Sequence, residues 1–197
     1  MNELECFELF PTPIFAHDVE DSEKINQKLK LLVREIMKND PVGNPHLNPH
    51  CYQSQGNLHK IEDFKFIFDK FTKLLETTVA SINGTVGSKP SINAMWACVN
   101  NKYGYNNAHV HQNSNLTGVY YVQAPEKCGN IVFHDPRVQL NALCPPSSAS
   151  SRYAAPHVSF VPKAGRLIIF PSWLLHHVNM NLSEEERILL GFNCSYT

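Results

Sequence analysis

The chain has 197 residues, a length that favours one domain spanning residues 1–197 over two complete domains. Hydrophobic residues make up 43% of it, enough for a sizeable interior, which excludes an intrinsically disordered chain. The 17 Lys and Arg residues nearly balance the 18 Asp and Glu residues, giving a formal charge of −1. Without a broad positive field, binding to nucleic acid or to an anionic membrane surface is disfavoured.

Apolar runs in the chain are far shorter than the roughly 20 residues needed to cross a bilayer, so no membrane span is expected. The N-terminal sequence MNELECFELF lacks the basic and apolar regions of a secretory signal, which predicts a cytoplasmic protein. In that reducing compartment we expect the six cysteines, none of them in a CxxC pair, to be free and buried thiols.

The N-terminal part of the chain predicts two helices. The segment FPTPIF, with its two prolines, is typical of an extended edge strand or covering arm. Apolar residues at helical spacing then predict one helix over about 21–39, with Asp21 and Ser22 as N-cap residues, and a second over about 61–82. Between the helices, residues 41–59 are rich in Pro, Gly and amides and predict a long irregular loop.

After Pro90 the spacing of apolar residues changes from 3.6 to 2, which predicts β-strands. The predicted strands begin with Ile92–Cys98 and continue with LTGVYYVQA, NIVFHD, HVSFVP, GRLIIFP and RILLGFNCSY. Residues 136–156, rich in Ser and Pro, predict a loop inserted between two strands. The order of elements predicts a mainly β fold, a jelly roll, with a helical support over about 20–83 and a β core over about 91–197.

Histidines at two places in the β region predict a metal site. His109 and His111 are two residues apart, so an extended segment points both imidazoles to the same face. The doublet His176–His177 follows the strand GRLIIF, and one of its rings can join the first two. Neutral imidazole is the commonest protein donor to transition metals near neutral pH, and three donors leave positions on the ion open. Taken singly, each histidine is more typical of a hydrogen-bonded surface or core residue.

Arg187 begins the last predicted strand, eleven residues after His176. Inside a barrel its guanidinium stays charged and needs a partner, and a carboxylate held by two parallel hydrogen bonds is the best one. The alternative is a surface cation that follows the acidic run Glu184–Glu186. The spacing alone leaves both interpretations open.

Four segments, HVHQNSNLTGVYYV, VFHDPR, GRLIIFPSWLLHHV and ERILLGFN, in this order resemble the Fe(II)- and 2-oxoglutarate-dependent oxygenases. More narrowly, they look like the small oxygenases of bacteria and phage that open with an FPTPI-like arm. The resemblance runs from Phe10 to Asn193 and implies a double-stranded β-helix, the jelly roll that carries iron at one open end. For a phage-encoded chain, the expected location is the host cytoplasm.

The resemblance also implies a reaction. The expected cofactors are Fe(II) and 2-oxoglutarate, and O2 is the expected second cosubstrate. Oxidative decarboxylation of 2-oxoglutarate to succinate and CO2 would then drive hydroxylation of a substrate that the sequence does not identify. A homodimer is compatible with this assignment, and membrane and nucleic acid remain disfavoured as partners.

Residue by residue, the resemblance implies roles for four side chains. His109 and His176 match the two histidine ligands of the iron, and Arg187 matches the basic residue that binds the distal carboxylate of 2-oxoglutarate. Tyr121 resembles a strand tyrosine whose hydroxyl helps to hold the same carboxylate, and a core position is the alternative for it. Trp173 is expected to be a core wedge behind the metal.

Two positions depart from the wider superfamily. His111 stands where the superfamily has a carboxylate ligand, so the third ligand is either His111 itself or Asp135 from a neighbouring strand. Leu189 stands two residues after Arg187, where related enzymes often place a hydroxyl, and this change is expected to loosen the binding of 2-oxoglutarate.

Two other kinds of protein share the expected fold. One is a cupin-like enzyme that uses three histidines without 2-oxoglutarate, and the other is a binding or structural module without catalysis. A buried Arg187 beside the metal distinguishes the oxygenase from the cupin-like enzyme, because only the oxygenase needs it. A structural module has no need for three converging imidazoles.

Overall fold

The computed structural model describes residue 5 and residues 8–44, 50–83, 89–137, 139 and 155–196. Short 3-10 helices, Leu58–Lys60 and Glu62–Phe64, precede the second α-helix. In chain order, the helices and strands are β1 (Phe15–Asp18), α1 (Ser22–Asn39), β2 (Cys51–Gln53), α2 (Lys65–Asn83), β3 (Ser91–Asn100), β4 (Asn106–His109), β5 (Leu116–Gln123), β6 (Ile131–His134), β7 (His157–Phe160), β8 (Arg166–Pro171), β9 (His176–Val178) and β10 (Arg187–Ser195).

The strands form two antiparallel sheets. The major sheet has six strands in the order β1-β8-β5-β10-β3-β2, and the minor sheet has four in the order β4-β9-β6-β7. Buried apolar residues of both sheets form one cluster between them, with Ile168 and Phe170 from the major sheet against Ile131 and Phe133 from the minor sheet. Two facing antiparallel sheets with crossed strand order are a jelly roll, so the predicted fold class is confirmed.

The major sheet has a helix-covered face and a face turned to the minor sheet, and β10 shows how the sequence specifies both. Ile188, Leu190 and Phe192 belong to the core shared with the helices, whereas Leu189 belongs to the cluster between the sheets. Because side chains alternate along a strand, the residues between the apolar helix-facing positions all point to the second face. That face is where the candidate site lies.

The helices pack on the outer face of the major sheet through apolar stripes at helical spacing. Leu29 and Val33 of α1 and Phe71 and Leu75 of α2 are fully buried there. The Phe71 ring lies 5.1 Å from the ring of Phe192, measured between centroids, so α2 is in direct contact with the centre of β10. The helices therefore support the sheet from behind and leave the opposite face free for chemistry.

Both predicted helices are confirmed to within four residues at their ends. Asp21 does precede α1, but with φ of 55° and no hydrogen bond from its side chain, so it does not cap the helix as expected. The edge strand β1 pairs with β8 but starts only at Phe15, the last residue of the segment FPTPIF, so it lies mainly after the predicted arm.

The expectation of an irregular loop over residues 41–59 was wrong, because β2 lies within it and pairs with β3. His109 ends a further strand, β4, which was not among the predicted strands, and His111 lies beyond its end. Strand β9 was not predicted. Residues 45–49 and most of the predicted insertion at 136–156 lie outside the described residues.

The cysteines in the described part of the chain are free thiols. Cys98, Cys128 and Cys194 are buried and Cys51 is half-buried, whereas Cys6 and Cys144 lie outside the described residues. No helix within the described ranges is both long and apolar enough to cross a membrane.

The contact between α2 and the major sheet predicts a large effect of Leu75→Ala on stability. Leu75 is fully buried, and removing its side chain leaves a cavity that costs about 2–5 kcal/mol of the free energy of unfolding. Leu31→Ala, the same change at a position of α1 that is 74% exposed, is the control and should change it by less than about 0.5 kcal/mol. Urea denaturation measures both, and equal effects would contradict the packing described.

Candidate functional site

Three histidine side chains converge at one end of the space between the sheets. His109 ends β4 and is paired across the ladder with His176, the first residue of β9. His111 follows β4 in the next turn, and its backbone N–H donates a hydrogen bond of 2.9 Å to the carbonyl of Ser172. One ring nitrogen from each of the three histidines lies within 4.8 Å of the others, a spacing compatible with a single ion.

Backbone carbonyls fix the tautomer of two of these rings. His109 Nδ1 donates to the carbonyl of Asn107 at 2.7 Å, and His176 Nδ1 donates to the carbonyl of Leu174 at 2.9 Å. With the proton held on Nδ1, the lone pair of each ring lies on Nε2 and is available to a metal. The rings of His109 and His176 are therefore already oriented to bind a metal through Nε2.

The rings of His111 and His176 are neutral near pH 7 because both are largely buried. Burial lowers the pKa of His176 to about 3 and that of His111 to about 4. The adjacent histidines contribute further to both shifts, because one positive ring disfavours another nearby. Neutral imidazole is the form that binds a transition metal, so no deprotonation of His111 or His176 is required first.

His177 and Asp135, the other two candidate ligands from the sequence, form hydrogen bonds with other side chains. His177 points to the opposite face of β9, where its Nε2 donates to Asn179 Oδ1 at 3.1 Å and its Nδ1 accepts from His134 Nε2 at 2.8 Å. Asp135 accepts hydrogen bonds from the guanidinium of Arg137 at both carboxylate oxygens, at 3.0 and 2.7 Å. Among the described residues, Asp135 is not part of the group that could share an ion.

Arg187 is fully buried at the start of β10, which excludes the surface position considered from the sequence. Its Nη1 donates to the backbone carbonyls of Cys128, Gly129 and Asn179. Its Nε and Nη2 are buried and have no hydrogen-bond partner. Two adjacent unpaired donors on one edge of a guanidinium match the two oxygens of a carboxylate.

Tyr121 lies close enough to Arg187 for the charge of the guanidinium to act on it. The tyrosine is fully buried, its hydroxyl also has no partner, and the positive charge of Arg187 acts on it. Burial raises the pKa of Tyr121 well above its ordinary value and that of Cys98 to about 12, so neither side chain supplies a negative charge. Leu189 stands directly opposite Tyr121 in the β10–β5 ladder. The hydroxyl missing at position 189 is therefore present on the neighbouring strand.

A cavity of about 430 Å³ lies beside the histidine cluster, a volume within the usual range for small-molecule pockets, and Arg187 itself does not line it. The three histidines and Tyr121 line it, together with Cys98, which lies beside Arg187. The rest of its polar surface comes from neutral side chains, and no Asp or Glu of the described chain lines it; the amides are those of Gln53, Asn106, Asn107 and Asn193. A separate open depression of about 500 Å³, lined by Lys30 and Glu185 among others, contains none of the candidate site residues.

Sequence reasoning missed part of this site and misplaced one residue. Trp173 is 56% exposed, so the expectation of a core wedge was wrong. Trp96 lines the cavity instead, and its indole stacks on the ring of His111 with centroids 5.7 Å apart. The alternating pattern of β3 indicates which face of the sheet Trp96 is on, but it does not indicate that the indole contacts His111. Gln53 was missed because a three-residue strand carries no periodic pattern.

The sequence over residues 94–193, just over half of the chain, matches the family described as "Putative 2OG-Fe(II) oxygenase". A comparison with curated protein sequences finds no match.

Several solved structures share the fold at low sequence identity. HygX from Streptomyces hygroscopicus, solved with nickel and 2-oxoglutarate bound, is 10% identical with a TM-score of 0.65, covering 93% of this chain and 83% of HygX. The viral collagen prolyl hydroxylase vCPH from Paramecium Bursaria Chlorella virus-1, solved with 2-oxoglutarate, is 15% identical with a TM-score of 0.59, covering 92% and 94%. A prolyl-4-hydroxylase from Pseudomonas putida is 14% identical with a TM-score of 0.53, covering 93% of both chains.

The structural similarity establishes the jelly-roll fold, and the family match establishes the class of chemistry. Three neutral imidazoles suit Fe(II), and the unpaired edge of a buried guanidinium suits a carboxylate of 2-oxoglutarate. The chain belongs to the 2OG-Fe(II) oxygenases, enzymes that depend on Fe(II) and 2-oxoglutarate.

Proposed function

We propose that this oxygenase binds Fe(II) through His109, His111 and His176, and 2-oxoglutarate through Arg187 and Tyr121. The observation that carries the proposal is a three-imidazole cluster in a cavity that Tyr121 and Cys98 also line, together with the unpaired buried guanidinium of Arg187, whose charge acts on both of those side chains. Each group requires a charged ligand, a cation for the first and an anion for the second. A metal ion and a dicarboxylate meet both requirements together.

In the proposed assignment, His109 and His176 hold the ion through preset Nε2 donors and His111 completes a three-histidine ligand set. Asp135 is not proposed as a ligand, since Arg137 binds both of its oxygens. When bound, the iron supplies the oxidative chemistry with O2 and 2-oxoglutarate. The described side chains that line the cavity supply binding and orientation. Apart from the three histidines they are neutral, and burial keeps Tyr121 and Cys98 protonated.

Arg187 and Tyr121 are proposed to bind the carboxylate of 2-oxoglutarate that lies farther from the metal. A buried carboxylate without a partner is costly, so a fixed cation is needed at that end. Arg187 offers two parallel donors, and the Tyr121 hydroxyl offers a third from the adjacent strand. Tyr121 is paired with Leu189 across the ladder and would supply a hydroxyl there, whereas the loosening expected from Leu189 stays a prediction.

The burial of Arg187 also favours the oxygenase over the cupin-like alternative. A three-histidine enzyme without 2-oxoglutarate has no use for an unpaired guanidinium beside the metal, and such a group lowers stability. We infer that the chemistry is hydroxylation of a substrate that enters between the neutral amides of the cavity. We further propose that residues 1–197 form one domain, whereas a homodimer and a cytoplasmic location stay predictions.

The ligand assignment predicts opposite results for two adjacent histidines. His176→Ala removes one of three donors and should weaken binding of Ni(II) by at least about a hundredfold, a typical loss for such a donor. His177→Ala, the matched control, should leave the affinity unchanged because its ring lies on the other face of β9. Calorimetric titration measures both, and equal losses would rule out the assignment.

The cosubstrate assignment predicts that Arg187→Ala weakens binding of 2-oxoglutarate at least about a hundredfold. The loss corresponds to roughly 3 kcal/mol of charge-assisted hydrogen bonding. Arg187→Lys keeps the positive charge but lacks the two parallel N–H donors of the guanidinium, so it should retain only part of the affinity for 2-oxoglutarate. Titration with 2-oxoglutarate in the presence of Mn(II), a redox-silent substitute for iron, measures it. Unchanged affinity in Arg187→Ala, or no binding by the wild type, would favour the cupin-like alternative.

Tyr121→Phe tests the second donor alone. The change removes one hydroxyl and keeps the ring, so we expect 2-oxoglutarate to bind about tenfold more weakly, as for one hydrogen bond of about 1.4 kcal/mol. Metal affinity should stay the same. The control is Tyr120→Phe, on the helix-facing side of the same strand, where the hydroxyl donates to Asn26 at 2.7 Å. An equal loss in both variants would mean that Tyr121 acts only through the fold.

A further inference from the structure

The three imidazoles of the site are not held in the same way. His109 and His176 each donate from Nδ1 to a backbone carbonyl, at 2.7 and 2.9 Å. Within the described part of the chain, neither ring nitrogen of His111 has a hydrogen-bond partner. Histidine ligands almost always donate their second nitrogen to a carbonyl or carboxylate, which fixes the ring. His111 therefore needs a different support.

Stacking supplies that support. The ring of His111 lies nearly parallel to the indole of Trp96, at 19° with centroids 5.7 Å apart. It also lies nearly parallel to the ring of His176, at 10° with centroids 5.2 Å apart. The imidazole of His111 is therefore aligned with two flat rings, and the ring of His176 is anchored by its own hydrogen bond. The hydrogen bond from the His111 backbone N–H to the Ser172 carbonyl positions the backbone of His111, and the stacking sets the plane of its ring.

The indole itself is seated on a glycine. Trp96 and Gly191 are direct partners in the β3–β10 ladder. A Cβ at position 191 would lie 2.6–2.8 Å from three indole atoms, Cε2, Cζ2 and Nε1. Any side chain there would force the indole to move from this position. The absence of a side chain at Gly191 is what lets Trp96 lie flat on the strand.

We propose that Trp96, seated on Gly191, is the positioning residue for the third metal ligand, His111. The inference rests on the proposed three-histidine site and goes beyond it. The indole replaces the hydrogen bond that orients the other two ligands, and its loss frees His111 to rotate about its side-chain bonds. Metal binding must then order the His111 side chain at a cost in conformational entropy, whereas the rings of His109 and His176 stay oriented by their hydrogen bonds.

The test is metal affinity, measured by calorimetric titration with Ni(II), which binds imidazole strongly enough to be followed in weakened variants. Trp96→Leu should weaken Ni(II) binding about tenfold, at the lower end of the loss typical for the residues that orient ligands. Trp96→Phe keeps a flat ring and should stay within about threefold of wild type. Trp173→Leu, at the only other tryptophan, which is exposed, is the control and should bind Ni(II) like wild type.

A double-mutant cycle separates positioning from a general effect on the fold. If Trp96 acts through His111, Trp96→Leu has no effect on Ni(II) affinity in a His111→Ala background. An equal loss in both backgrounds, or no loss in the wild-type background, overturns the proposal. No Ni(II) binding by the wild type would instead remove the proposed metal site itself.

Gly191→Ala supplies an independent change that keeps the indole but moves it. It should weaken Ni(II) binding in the wild type and cause no further loss in the Trp96→Leu variant, because the added methyl acts only through the indole. Should Trp96→Leu fail to fold, Gly191→Ala in the His111→Ala background keeps the proposal testable, because no further loss of Ni(II) affinity is expected there. A loss from Gly191→Ala that persists without the indole would contradict the seating of Trp96.

Discussion

A fully buried guanidinium needs a negative partner, and the described part of this protein provides none for Arg187. Three backbone carbonyls accept from one of its nitrogens and leave the other two unpaired. Burial holds the neighbouring thiol of Cys98 and phenol of Tyr121 in their neutral forms. A buried and unpaired guanidinium lowers the free energy of unfolding unless an anionic ligand pairs with it. The cosubstrate of the family is a dicarboxylate, and we propose that one of its ends meets that need.

The proposed ligand set fits the same balance of charge. Three histidines that bind a metal as neutral imidazoles leave a divalent ion with its full charge, and Arg187 adds another positive charge. A dianion such as 2-oxoglutarate then cancels two of three charges, whereas a carboxylate ligand at position 111 would cancel one more. The cavity has no acidic lining residue in the described chain to do so. The metal and 2-oxoglutarate should therefore each favour binding of the other, and the site retains a positive character toward its substrate.

The fold could be predicted from the sequence because long apolar patterns define the helices and the major strands. The short strands β2, β4 and β9 could not, since three or four residues carry no readable period. The spacing of His109, His111 and His176 indicated a metal, but the choice between His111 and Asp135 depended on where Arg137 points. For Arg187 the sequence left two interpretations, and burial decided between them. Contacts that form only in the folded chain, such as the stacking behind His111, have no linear pattern.

The most direct measurement is a crystal structure grown anaerobically with Fe(II) and 2-oxoglutarate, with anomalous scattering recorded at the iron edge. The predicted result is one anomalous peak within about 2.2 Å of a nitrogen from each of His109, His111 and His176. The carboxylate of 2-oxoglutarate remote from the iron should accept two hydrogen bonds from Arg187 and one from Tyr121. An iron peak away from the three rings, or a carboxylate bound elsewhere while Arg187 stays unpaired, would contradict the proposed site.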